Sequence, residues 1–362
     1  DDGEFRVDVY DGVDNTSMYL GLSGINAFHS VVPASIFEFY DYIGVERTVG
    51  SRPDTEVYAI RPLLSVKYLL NRTSGDKFVN EDTKETEMPD YSYLKTESGY
   101  YIYENENYIP FGFSYDYYMN YEYCDGYSES LRPNLMLKAI LLTDKQIKKY
   151  GHLMQNLEDI PLAAEIEENA TTLSLSNEDM AIDCENRAKT SAVQFSKDNH
   201  GFTATVERDK ANLVFFSVPY DKGWSATVNG KEAEIEKVNA GFMAVKVNPG
   251  KSEIRFNYMT PGLFTGIEIT TISAAIFIIY AIMFVVYSKK HKDNTKYPEG
   301  EALLKEWRKQ ELAEIRANLD NNSDQGERKS LFDDNGDSVI PKINKNLNGG
   351  FKINPDAFGD DK

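Results

Sequence analysis

The chain has 362 residues, of which 27% are charged, and its formal net charge at pH 7 is −19. This length is enough for two domains, since one domain commonly holds roughly 100–200 residues. A strongly acidic chain repels phosphate backbones, so nucleic acid is not expected as a partner. The two cysteines, Cys124 and Cys184, have no metal-site spacing, and we expect two isolated buried thiols in preference to a disulfide.

The first 150 residues mix helix-like and strand-like segments, which predicts an α+β module over residues 1–150. Residues 35–42 have the pattern of a short helix with Ser35 as its N-cap. The apolar run at residues 63–70 is typical of a buried strand or helix. Further elements are expected at residues 100–103 (strand), 137–142 (strand) and 143–150 (helix).

A tyrosine-rich stretch at residues 115–123 allows two interpretations. Aromatic faces beside carboxylates suit carbohydrate, and Tyr117 and Tyr121 are then candidate substrate-binding residues. Alternatively, these tyrosines form strand faces that pack against the rest of the protein. We favour the second interpretation, because packed tyrosines are commoner than ligand platforms.

Residues 151–260 form the second predicted module, a β-sandwich. Short runs that mix β-branched or aromatic residues with polar residues recur at the spacing of an all-β domain. Asn229 and Gly230 are a hairpin turn signal, and looser turns follow at residues 239–241 and 248–250. The predicted strands are residues 201–207, 212–218, 224–228, 233–238, 242–247 and 252–258.

The segment around Trp224 offers a second group of candidate substrate-binding residues. Tyr220, Asp221 and Trp224 lie close together in the sequence and combine aromatic faces with a carboxylate. A tryptophan at the start of a predicted strand is more often a core residue than a ligand contact. We therefore favour a packing role for Trp224.

The apolar run at residues 269–287 is uncharged, with Glu268 directly before it, and it predicts one transmembrane helix over residues 263–287. Lys289, Lys290 and Lys292 follow it, whereas residues 257–265 contain no Lys or Arg. The positive-inside rule then places the tail, residues 288–362, in the cytoplasm and the preceding bulk outside. Within this tail a solvated helix is predicted at residues 299–319, and the sequence from residue 321 onward has a disordered composition.

Familiar catalytic patterns are missing from the sequence. The four histidines, His29, His152, His200 and His291, lie in no hydrolase or metalloprotease signature, and no phosphate-binding glycine loop occurs. No catalytic residue, metal site or cofactor is therefore predicted in this segment. No signal peptide pattern is present at the start, so we expect either a removed signal or the C-terminal part of a longer membrane protein.

Several blocks of this sequence resemble the YfhO family of bacterial membrane proteins. The blocks at residues 219–230, 238–245, 249–250 and 258–262 are similar to the C-terminal end of that family in order and spacing. Residues 61–70 and 110–115 are similar to two segments further upstream. The resemblance covers about residues 15–287, whereas the long tail departs from the usual pattern.

This resemblance implies a polytopic enzyme of the glycosyltransferase-C type, of which upstream membrane helices are missing here. Such enzymes are linked to sugar transfer from polyprenyl-phosphate donors to envelope polymers such as teichoic acids. Their acidic catalytic residue lies in an early outer loop that has no counterpart in this sequence. The expected partners are the lipid bilayer, the upstream helices and the glycopolymer or lipid-linked sugar.

Two functional hypotheses follow from these observations. The leading one is the extracytoplasmic C-terminal part of a glycosyltransferase in the bacterial cell membrane. The alternative is a single-pass surface binding or sensory protein with a carbohydrate- or partner-binding ectodomain. A third hypothesis, an assembly scaffold, predicts that deletion disturbs partner proteins without changing envelope sugars.

Overall fold

The structure is a computed structural model of the full chain. It describes residues 4–10, 15–29, 31–46, 50–51, 53, 57–74, 79–80, 82–159, 177–291 and 298–323. The chain divides into two compact units, Asp1–Ile269 and Thr270–Lys362. The first unit holds the sheets, and the second consists, in its described part, of helix.

The described helices are mostly short before residue 260 and long after it. They are α1 (Thr16–Tyr19), α2 (Ala34–Tyr42), α3 (Ile60–Leu63), α4 (Tyr121–Asp125), α5 (Arg132–Lys138), α6 (Asp144–Tyr150), α7 (Asn177–Lys189), α8 (Leu263–His291) and α9 (Pro298–Ser323).

Ten described strands precede α7. They are β1 (Arg6–Tyr10), β2 (Ala27–Phe28), β3 (Gly50–Ser51), β4 (Val66–Arg72), β5 (Tyr91–Glu97), β6 (Tyr100–Asn105), β7 (Phe113–Ser114), β8 (Tyr117–Asn120), β9 (Ala139–Leu142) and β10 (Gln155–Asn156). They include a four-stranded sheet in the order β1-β4-β6-β5, in which only β1 and β4 run parallel, and a parallel sheet in the order β10-β8-β9.

Eight described strands follow α7. They are β11 (Gln194–Asp198), β12 (Gly201–Arg208), β13 (Asn212–Pro219), β14 (Trp224–Val228), β15 (Lys231–Ala233), β16 (Ile235–Val238), β17 (Phe242–Val247) and β18 (Gly250–Tyr258). They form two antiparallel sheets, in the orders β11-β12-β18-β14-β15 and β16-β17-β13-β7.

The two antiparallel sheets share one apolar cluster. Alternate residues of β12, such as Phe202 and Val206, and of β17, such as Met243 and Val245, are buried in it. This period of two is what a strand with one buried face requires. The predicted mixture of helices with antiparallel sheets is therefore confirmed, while the sandwich assignment stays a prediction.

The prediction of one continuous strand at residues 233–238 is wrong, because these residues belong to two strands. β15 ends at Ala233 and pairs with β14, whereas β16 begins at Ile235 and pairs with β17 in the other sheet. Glu234 lies between them, so the chain changes sheets at that residue. The hairpin at Asn229 and Gly230 is confirmed, with φ of 51° and 73°.

The predicted N-cap role of Ser35 is also wrong. Pro33 occupies the N-cap position of α2, and Ser35 lies in the first turn of the helix. The Ser35 hydroxyl is buried and donates to the Tyr220 carbonyl oxygen at 2.6 Å. The hydroxyl therefore connects α2 to the loop after β13. At residues 143–150 the predicted helix is confirmed as α6, with Thr143 as its N-cap in a capping box.

Packing is continuous across the predicted division at residue 150. One large core cluster contains Phe39 of α2 and Ile140 of β9 together with Phe215 of β13 and Phe242 of β17. Strand β7 also pairs with β13, with Ser114 opposite Val214. The assignment of separate modules to residues 1–150 and 151–260 stays a prediction.

The buried side chain of Asn239 connects the part of this unit before residue 150 with the part that follows α7. We call these two parts the halves of the unit. Its side-chain oxygen accepts from the Leu141 amide at 2.7 Å, and its side-chain nitrogen donates to the Tyr115 hydroxyl at 3.2 Å. Tyr115 in turn donates to the Met136 carbonyl at 2.7 Å. Asn239 has a φ of 46°, a conformation that asparagine adopts more readily than most residues.

The two cysteines are free and buried, as expected. Cys124 belongs to α4 and Cys184 to α7. Burial raises the pKa of both thiols above the ordinary value. They are therefore protonated, inert core residues.

Helix α8 confirms the predicted apolar helix at residues 263–287 and continues to His291. It has 29 residues, and the described part of the chain buries none of its apolar stretch. Helix α9 confirms the helix predicted at residues 299–319. The disorder predicted from residue 321 falls mainly on residues 324–362, which lie outside the described residues.

We predict that Asn239→Ala lowers the free energy of unfolding by about 2 kcal/mol, because it leaves the buried Leu141 amide without its acceptor. Chemical denaturation of the detergent-solubilised chain measures this. Asn229→Ala is the matched control, since Asn229 has a similar φ of 51° but lies in an exposed turn. Equal losses for the two variants would contradict a stabilising role for the buried bonds.

Candidate functional site

A cavity of about 630 Å³ lies in the first unit, a volume within the range of small-molecule sites. Its walls come from both halves of the unit. The residues that line it are Glu4, Phe5, Arg6, Ser23, Pro33, Phe111, Phe195, Lys197, Asp198, Asn199, His200, Gly201, Phe202, Val218, Pro219, Trp224 and Tyr258.

One wall of the cavity is an aromatic cluster around Trp224. Its ring lies edge-on to Tyr258 at 5.0 Å and to Phe202 at 5.7 Å between ring centroids. Phe202 stacks on Phe256 at 4.5 Å, which joins the cluster to the core shared by the two antiparallel sheets. Because Trp224 is half-buried, one part of the ring anchors the core and another part faces the cavity.

The tight loop between β13 and β14 positions Trp224. Asp221 shapes this loop, since its carboxylate accepts from the Gly223 amide at 2.8 Å. The Gly223 carbonyl then accepts from the Met259 amide at 2.9 Å. A Cβ atom at Gly223 would lie 2.3 Å from the Met259 carbonyl oxygen, so only glycine allows this close approach.

The guanidinium group of Arg6 forms another part of the cavity wall. It donates to the Leu64 carbonyl at 2.7 Å, to the Ser217 hydroxyl at 3.0 Å and to the Ser217 carbonyl at 2.9 Å, and it lies 4.8 Å from the centre of the Phe111 ring. Burial lowers the pKa of Arg6 to about 10. Arg6 is therefore still a cation at neutral pH, and it connects β1 to β13.

Charged pairs lie at one side of the cavity. Lys197 forms an ion pair with Glu4 at 2.6 Å and donates to the Ser23 hydroxyl at 2.9 Å. Asp198 accepts two bonds from Arg255, at 2.7 and 3.1 Å. These bonds from Arg255, together with the His200 amide, lower the pKa of Asp198 to about 2.

The five residues that were predicted to bind substrate lie in different parts of the first unit. Trp224 lines the cavity, whereas Asp221 shapes the adjoining loop. Tyr220 packs against the core of the antiparallel sheets. Tyr117 and Tyr121 are half-buried against the large core cluster and are absent from the cavity wall, so the structure does not bring all five residues together.

Most of the cavity wall was missed by reasoning from sequence. Arg6 on β1, Phe195 on β11 and Phe111 in the loop before β7 reach it from separate parts of the chain, and no local pattern marks them. The position of Tyr258 in the sequence could have identified it, since it is the last residue of the final strand before the apolar helix. Within the described residues, no group of three or more His, Cys, Asp or Glu side chains is arranged to hold a metal ion.

Within the described residues, a mixed α/β unit continues into one helix that is long and apolar enough to span a membrane, which is the pattern of a membrane-anchored protein. The family described as "Bacterial membrane protein YfhO" matches residues 5–192 and 171–270. Because these matches cover more than half of the sequence, the chain belongs to the YfhO family of bacterial membrane proteins. The resemblance found in the sequence is thereby confirmed.

The chain matches only a small part of the length of one relative in this family. Over 151 residues the chain is 26% identical to the "Uncharacterized protein YfhO" of Bacillus subtilis (strain 168). This match covers 41% of the present chain and 16% of the relative's length. No solved structure matches the chain.

We predict that Asp198 makes folding sensitive to acid. Its pKa is about 2 in the folded chain against an ordinary value of 3.8, so the unfolded state takes up the proton first. The stabilisation is complete above pH about 4 and is lost as the pH falls towards 2. Arg255→Gln should raise the pKa of Asp198 towards its ordinary value, which an NMR titration of the side-chain carboxyl carbon measures. An ordinary pKa in the unsubstituted chain would contradict the pairing.

Proposed function

We propose that this chain is the extracytoplasmic C-terminal part of a membrane glycosyltransferase and that its cavity binds a saccharide unit of an envelope polymer. In this proposal, upstream membrane helices supply the catalytic loop and the polyprenyl-phosphate-linked sugar. The acceptor is a teichoic-acid-like glycopolymer, and the present chain engages it beside the membrane.

The aromatic cavity is the observation that supports saccharide binding. Trp224 and Tyr258 offer ring faces on which the C–H face of a pyranose can stack. Ser23, Asn199 and His200 add polar groups to the lining, and these suit sugar hydroxyls. A pocket with apolar walls and a few polar groups is the usual form of a small-ligand site.

The charges that flank α8 support the proposed orientation. Lys289, Lys290 and His291 form its last turn, and no acidic or basic residue lies in its first turn. Positive charge is retained on the cytoplasmic side of a membrane helix, which puts the sheets outside and α9 inside. The proposed β-sandwich, built from the two antiparallel sheets, is then the platform that carries Trp224.

A surface binding or sensory protein is the second candidate. The same cavity supports it, because ligand binding without transfer needs no catalytic loop. The gene region upstream of Asp1 separates the two candidates: several apolar spans favour the transferase, and a simple signal peptide favours the receptor. Analysis of envelope sugars in a deletion strain adds a functional readout. Lost sugar decoration supports transfer, whereas unchanged sugars with disturbed partner proteins support a scaffold.

We predict that Trp224→Ala weakens saccharide binding by tenfold or more, because a stacked ring contributes about 1.5 kcal/mol. The measurement is calorimetric titration of the detergent-solubilised chain with glycosylated poly(glycerol phosphate) fragments. Tyr93→Ala is the control, since Tyr93 is an exposed aromatic residue outside the cavity wall. Near-UV circular dichroism checks that both variants remain folded.

Variants in the tyrosine-rich stretch distinguish this site from the one predicted at residues 115–123. If Tyr117→Ala and Tyr121→Ala abolish binding while Trp224→Ala does not, the binding site lies in that stretch and the cavity assignment is wrong. If the unsubstituted chain binds none of the fragments, saccharide binding by this part of the protein is contradicted.

A further inference from the structure

One segment near the start of the chain has no acidic residue, no lysine and no arginine. Between Asn15 and Phe37 the sequence contains no Asp, Glu, Lys or Arg, and His29 is the only titratable group besides Tyr19. Charged residues make up 27% of the chain as a whole. A long uncharged segment is therefore unusual here and indicates a surface that does not face bulk water.

This segment nevertheless presents large apolar side chains on the surface of its unit. Their exposed fractions are Met18 56%, Tyr19 87%, Leu20 45%, Phe28 45% and Val31 92%. We call these five residues the uncharged patch. A hydrophobic surface of this kind marks an interaction site more often than chance exposure does.

Hydrogen bonds hold the two parts of the uncharged patch together. The Asn15 side chain donates to the Phe28 carbonyl at 3.1 Å and accepts from the Phe28 amide at 2.8 Å. Helix α1, which carries Met18 and Tyr19, begins directly after Asn15. The patch is therefore formed by two adjoining turns of chain.

The cavity places the uncharged segment at the end of the unit from which the apolar helix continues. Ser23 and Pro33, both from this segment, line the same cavity as Tyr258. Tyr258 is the last residue of β18, and α8 begins five residues later at Leu263. Met259, which follows Tyr258, is 47% exposed. The uncharged segment and the last residue of the strand that precedes the membrane helix thus line one cavity.

We propose that the uncharged patch inserts into the interface of the bilayer that α8 spans. Lipid is the occupant that fits, because the start of α8 already brings a bilayer to this end of the unit. Tyr19 and Phe28 are residues that favour the region between headgroups and acyl chains, and the absence of charge removes the cost of burial there. The outer unit then contacts the membrane at two places, through α8 and through the patch.

This second contact restrains the outer unit on the membrane surface. A unit held only by α8 would be free to tilt about the short connection at Pro261 and Gly262. With the patch inserted, a second contact besides α8 holds the unit at the membrane surface. The contact concerns lipid alone and does not depend on what the cavity binds.

Fluorescence quenching by lipid tests the proposal on the full chain in nanodiscs that contain one copy each. Val31→Cys is labelled with an environment-sensitive fluorophore, and the discs contain lipids spin-labelled in the acyl chain. Leu94→Cys is the matched control, since Leu94 is an apolar residue that is 49% exposed on β5, at the sheet edge opposite β1. The unsubstituted chain gives the background from the buried Cys124 and Cys184.

We expect the label at residue 31 to be quenched at least threefold more strongly than the label at residue 94, with blue-shifted emission. Equal quenching at the two positions would overturn the proposal. Blue-shifted emission at residue 31 without quenching by lipid would also overturn it, because another part of the protein would then cover the patch. The same labels in detergent report whether each variant is folded.

Discussion

The interpretation of this protein as a membrane protein depends on the nonpolar environment that one helix, α8, requires. Along α8, side chains such as Ile276 and Phe277 are exposed by 62% and 69%, and no described part of the chain covers them. Each square ångström of apolar surface left in water costs about 25 cal/mol, so a helix of this composition is stable only in a nonpolar solvent. Lipid is that solvent in a family of membrane proteins. The proposed sidedness of the protein follows from this helix and the charges that flank it.

The unit before this helix is held together by contacts between distant parts of the sequence. Arg6 connects the first strand to Ser217, and Asn239 connects the hairpin of β16 and β17 to Leu141. The Asn239 side chain is buried and the Arg6 guanidinium group makes three hydrogen bonds, and leaving such polar groups unpaired is costly. They therefore specify how the two halves fit together. The cavity exists only because this fit is fixed, since its walls come from both halves.

Much of the fold was predictable because its signals are local. The strands at residues 224–228 and 242–247 have the predicted bounds, and Asn229 and Gly230 form the expected turn. The apolar helix follows from composition alone. Errors arose where tertiary contacts decide: the run at residues 233–238 divides at Glu234 to serve two sheets, and the Ser35 hydroxyl bonds Tyr220 instead of capping its helix.

The candidate site was less predictable for the same reason. For Trp224 the sequence favoured a packing role over a ligand contact, and the structure shows the ring packed in an aromatic cluster that also lines a cavity. Tyr117 and Tyr121 were named from local composition, but they pack against the main core. Residues such as Arg6, Phe111 and Phe195 reach the cavity from parts of the chain that are distant in sequence, and only the folded structure brings them together.

The sidedness of the membrane is the central claim of this account, and thiol accessibility on intact cells measures it most directly. A cysteine that replaces the exposed Glu232 should react with a membrane-impermeant reagent in intact cells. A cysteine that replaces Lys290, at the end of α8, should react only after the membrane is permeabilised. Reaction of the second position in intact cells, with protection of the first, would contradict the account.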